Sequence, residues 1–105
     1  MSELKLHKAI EIDGKKVDKI EYDLDSITGK DIEDICKIMA KEQNAIVIQE
    51  TDPIFHAHIF AQAAGIAYED LRRMNGKDFT KATTLVRDFF YIGSEGSQVE
   101  TSSGI

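Results

Sequence analysis

Tryptophan is absent from this 105-residue chain, and cysteine and proline occur once each. A single cysteine cannot close a bridge within its own chain, so a disulfide scaffold is excluded. No apolar run approaches the roughly twenty residues that span a bilayer. The start, Met1-Ser2-Glu3-Leu4-Lys5, leads into alternating polar and apolar positions and lacks the apolar core of a secretory signal, which predicts a cytosolic protein. Positive charge is also scarce: 13 basic against 19 acidic side chains leave a net charge of −6. Such a balance argues against nucleic-acid binding, which needs a basic face, and Arg72-Arg73 is too small a footprint to supply one.

What is present is a normal apolar fraction, 42%, in a length that allows one compact domain. Leu4, Leu6, Ala9, Ile10 and Ile12 alternate imperfectly, as do Val17, Ile20, Tyr22 and Leu24, with Asp13-Gly14 between them. Period-two patterning around Asp-Gly predicts a hairpin over residues 3–24. The slips of phase at Lys8–Ile10 and Asp18–Ile20 predict a bulge or a twisted ribbon. A lone hairpin is marginal in water and needs a cover, which the following helical patterns can supply.

Thr28-Gly29-Lys30-Asp31 has the form of a capping box, and Ile32, Ile35, Cys36, Ile38 and Met39 follow at three and four spacing, predicting a helix over about 29–43. Residues 44–51 fit a loop or a short strand. Asp52-Pro53 reads as an N-cap with proline at the first helical position, opening a helix over 53–64 that is apolar on almost every side and closed by Gly65. A short helix over 67–74 stops at Asn75-Gly76, and Asp78 caps a last helix over 78–91. The Gly/Ser-rich residues 93–105 bury too little to offset their ordering entropy and predict a flexible, disordered tail. The expected fold is α+β: residues 1–92 form one domain, an N-terminal β-hairpin packed on three to four helices.

Chemistry is sparse. His56 and His58 lie two apart on a helix, so their side chains diverge by roughly 200° and one metal ion cannot take both. A polar stripe or a partner surface is the expected role. Cys36 sits on an apolar helix face, and its pairing with either histidine would need a tertiary proximity that no motif announces. The carboxylates Glu33, Asp34, Glu69, Asp70 and Asp78 read as solvated helix starts. No phosphate loop, serine elbow or zinc spacing is present, so no enzyme and no cofactor or metal is expected. Phe89-Phe90-Tyr91 sweep more than half of a helix circumference, so either the short helix over 67–74 or a partner must cover part of them.

The order of parts resembles the tail assembly chaperone family of tailed bacteriophages and prophages. The likeness spans residues 4–91. It is carried by Ile10-Glu11-Ile12-Asp13-Gly14-Lys15-Lys16-Val17, by Thr28-Gly29-Lys30-Asp31, by Ala64-Gly65-Ile66-Ala67-Tyr68-Glu69-Asp70-Leu71, and by Lys77-Asp78-Phe79-Thr80-Lys81-Ala82-Thr83-Thr84-Leu85-Val86-Arg87-Asp88-Phe89-Phe90. The resemblance implies a non-enzymatic role in the bacterial host's cytoplasm, keeping the tape measure protein soluble during tail morphogenesis. It also implies a frameshift-extended form that recruits the tail tube protein, with this chain as the short form. A chaperone for a long helical client needs apolar surface in an acidic, soluble frame. The candidate partner-binding residues are therefore Phe55, Ile59, Phe60, Phe89, Phe90 and Tyr91, with self-association into homo-oligomers expected. The alternative is an acidic regulatory or inhibitory module that binds a basic partner through carboxylates of the hairpin and first helix.

Overall fold

A computed structural model describes residues 2–42 and 52–92. Two antiparallel strands, β1 (Ser2–Ile12) and β2 (Lys15–Tyr22), form a two-stranded sheet. They are joined at Asp13-Gly14, whose φ angles of 53° and 78° are those of a left-handed two-residue turn. Glycine adopts this backbone freely and aspartate tolerates it, and the turn's twist matches that of the strands.

The ladder breaks once. From Ser2 to Lys5 each β1 residue faces its β2 partner in one register, ending at Lys5 opposite Lys19, and pairing resumes at Ile10 opposite Val17. Residues 6–9 therefore bulge against Asp18 alone, a break that the expected slips of phase at Lys8–Ile10 and Asp18–Ile20 overlap in part. Leu4 and Ile10 face the core from β1, as Ile20 and Tyr22 do from β2.

After a short 3-10 turn at Leu24–Ser26, α1 runs over Gly29–Lys41. Its capping box is complete: the Asp31 N–H donates to the Thr28 hydroxyl at 3.2 Å, and the Thr28 N–H donates to the Asp31 carboxylate at 2.9 Å. Ile35 and Met39 are buried. Ile38, expected on the same face, is 45% exposed, and α1 packs mainly against one element, the helix that follows it. The unassigned segment 44–51 and the tail 93–105 lie outside the described residues.

The α2 helix (Pro53–Ala64) is the centre of the molecule. The Asp52 carboxylate accepts from the N–H groups of Ile54 and Phe55 at 2.9 and 3.2 Å. At the other end Gly65, at φ 69°, lets its own N–H and that of Ile66 turn back to the carbonyls of Gln62 and Ala61. Between these caps every residue from Phe55 to Ala61 is buried. That all-round burial explains the all-round apolar sequence, since α2 packs against α1, α4, the short helix α3 (Tyr68–Arg72) and β2. The Tyr22 and Phe60 rings meet at 5.1 Å, and the Asp23 N–H donates to the Ala63 carbonyl, fastening the hairpin's end to α2. The sheet thus acquires the cover it needs, and the architecture is α+β, a hairpin on four α-helices among the described residues.

The last helix, α4, runs over Gly76–Arg87 and widens into a π-type turn at Asp88–Ile92. Its cap corrects the sequence reading. Asn75 accepts from the Lys77 N–H at 3.0 Å, while Asp78 stands in the first turn, 1% exposed. No helix among the described residues is long and apolar enough to cross a membrane.

Candidate functional site

The six residues expected to bind a partner divide sharply. Phe55, Ile59 and Phe60 are 1%, 1% and 0% exposed: they are the side chains by which α2 holds the bundle together, and no face of them is presented at the surface. Phe89 and Phe90 are half-buried against the core's edge, and Tyr91 is 39% exposed. The expectation that Phe55, Ile59 and Phe60 bind a partner is corrected, since α2 is surrounded by its own chain; of the six, those at the α4 end reach the surface.

That end is built by the change of helix type. An α-helix advances about 100° per residue, so three consecutive side chains would diverge widely. A π-type turn is wider and advances less, which keeps consecutive side chains closer in direction. Phe89 and Phe90 meet edge to face at 4.9 Å. The Tyr91 ring lies 5.8 Å from that of His56, which in turn neighbours Phe55 at 5.9 Å. His56 is thereby a core residue of α2 covered by the end of α4, and not the polar surface stripe that His-Ala-His suggested.

His58 has a different burial. Its ring stacks on Tyr68 of α3, centroids 3.9 Å apart and planes 12° from parallel, and it is 6% exposed. Burial pushes its pKa below the ordinary histidine value, against the opposing pull of Glu42 and Glu69. Burial likewise pushes the Tyr68 hydroxyl up. At neutral pH His58 is therefore uncharged, and its Nε2, 3.8 Å from the Glu42 carboxylate, makes neither an ion pair nor a hydrogen bond there. Cys36 is half-buried against the core. Among the described residues no group of three or more histidine, cysteine or carboxylate side chains could hold a metal.

Asp78 is the residue whose role the sequence hid. Its carboxylate reaches across to the β1 bulge and accepts the His7 N–H at 2.7 Å and the Lys8 N–H at 3.0 Å. Those two donors have no β2 partner because the ladder is broken there. Burial alone would push the Asp78 pKa up; the two backbone donors, with the nearby charges of His7 and Lys81, outweigh it and hold the carboxyl below its usual value. A shallow cavity opens beside this bridge, between the bulge and the first turns of α4. No protein-family model, curated protein or solved structure matches the chain.

Proposed function

We propose that the chain is a non-enzymatic protein-binding subunit, a tail assembly chaperone of the short form. In this reading it acts in the host bacterial cytoplasm, where it holds apolar stretches of the tape measure protein in solution until the tail tube encloses them. The observation that carries the reading is Phe89-Phe90-Tyr91. Two aromatic rings are half-covered and one is exposed on a widened turn at the end of α4, at the edge of the core. Aromatic rings at a surface edge supply contact area at small entropic cost and are favoured as interface anchors. The resemblance over residues 4–91 names the client. The net charge of −6 keeps such a surface soluble.

Co-expression with segments of a tape measure protein encoded beside this chain's gene tests the reading. Client segments that aggregate alone should remain soluble and co-purify with the chain, and the complex should persist at high salt because its contacts are apolar. Failure to solubilise or retain any segment overturns it. Retention that collapses with added salt favours the acidic regulatory module instead. A longer frameshifted product that also retains tail tube subunits would extend the assignment to the full pair of forms.

A further inference from the structure

The cavity beside Asp78 has a volume of 550 Å³ and gathers the positive charge that the chain as a whole lacks. Lys5 lines it from β1, at the last paired residue before the bulge, and His7 from the bulge itself. Lys77 and Lys81 line the opposite wall; four residues apart on α4, they share one helix face. Among the described residues none of these three lysines stands within 4.0 Å of a carboxylate in an ion pair. The one carboxylate in the wall, Asp78, is turned inward and occupied by the His7 and Lys8 N–H groups, so it does not neutralise the ammonium groups by direct contact. Thr80 adds a hydroxyl.

We infer that this cavity binds an oxyanion of the phosphate or phosphate-monoester class. Three lysines that line one cavity from two walls, with a threonine beside them, supply the kind of donors that suit a compact group bearing two charges and several acceptor oxygens. The cavity is too small, and the rest of the surface too acidic, to hold a polyanion such as nucleic acid. Asp78 fixes the distance between the walls: it ties the bulge to α4, so lysines of both elements line one volume. The inference stands on this cavity alone and is independent of the client assigned to Phe89-Phe90-Tyr91.

Titrating the full chain with inorganic phosphate and, separately, with methyl phosphate tests it, at fixed pH and ionic strength and with backbone amide shifts as the readout. Saturable shifts centred on residues 5–8 and 77–81 are expected for both. A preference for methyl phosphate identifies the source as an ester, and equal binding identifies it as free phosphate. In the Lys5→Gln/Lys81→Gln variant binding should weaken at least about tenfold, the loss expected on removing charge-assisted hydrogen bonds. Both lysines are exposed, so the fold should survive their replacement. Shifts that never saturate, shifts that persist unchanged in the double variant, or tighter binding of an oligoglutamate peptide than of either phosphate would overturn the inference, the last in favour of an acidic protein contact.

Discussion

Replacing Asp78 by alanine leaves the His7 and Lys8 N–H groups of the β1 bulge without their acceptor, in a region whose ladder cannot take them back. Two lost hydrogen bonds to a buried charge should cost about 2–4 kcal/mol in denaturant unfolding, with Asp78→Asn at the lower end because its one remaining oxygen still serves one donor. Because the folded carboxyl lies below its ordinary value, its contribution is present above the unfolded pKa of about 3.9 and is lost as pH falls through the folded value. The Asp78→Asn variant should therefore lose part of the steep acid transition. His58 sets a second, higher window. Its folded pKa is depressed by burial, so the unfolded chain takes up the proton first. Stability should be full above about pH 6.5 and fall as pH drops from there through the folded value. In His58→Phe, which keeps a ring on Tyr68, that decline should flatten, as equilibrium unfolding at a series of pH values will show. An unchanged slope in the variant would assign the decline to other groups.

At the scale of elements, α2 is where local signals and tertiary demands coincide. Gly65→Ala forces a side chain into the left-handed backbone at φ 69° and should cost about 1–2 kcal/mol. Phe60→Ala empties a fully buried site against Tyr22 and should cost about 3–5 kcal/mol, enough to unfold a small domain, both read by thermal or denaturant melts. The capping box at Thr28, the Asp13-Gly14 turn, the Asp52-Pro53 start and the Gly65 stop were all legible in the sequence, because each joins residues no more than a few positions apart. The bulge was legible too, as a slip of period. Three features were not. Asp78 resembled any first-turn carboxylate, since the donors that define it lie about seventy residues away. The π-type turn at Asp88–Ile92 leaves the three and four spacing of α4 without a signature of its own, so the last helix looked longer than it is. Apolar residues on α2 looked like spare surface, because composition cannot distinguish a helix awaiting a partner from one wrapped by its own chain.

For the whole molecule, the division between core and surface narrows the functional claim. On the proposed reading, with Phe55, Ile59 and Phe60 inside, a client and a second copy would be met at the α4 end, by Tyr91 with Phe89 and Phe90 beside it; Ile38 of α1 is the other exposed large apolar side chain among the described residues. Sedimentation across a range of concentrations should show oligomers for the chain and a shift toward monomer for Phe89→Ser/Tyr91→Ser. An unaltered distribution would place the self-association elsewhere. Positive charge meanwhile gathers at the opposite edge of α4, around Asp78, so one helix links an apolar end to a basic one. The most direct test of the central claim is the affinity of the chain for a tape measure segment that it keeps soluble, compared with that of Phe89→Ser/Tyr91→Ser after both proteins are shown to be folded. At least about a tenfold loss is expected in the variant, the size that follows when interface anchors are removed. Equal affinity would contradict it.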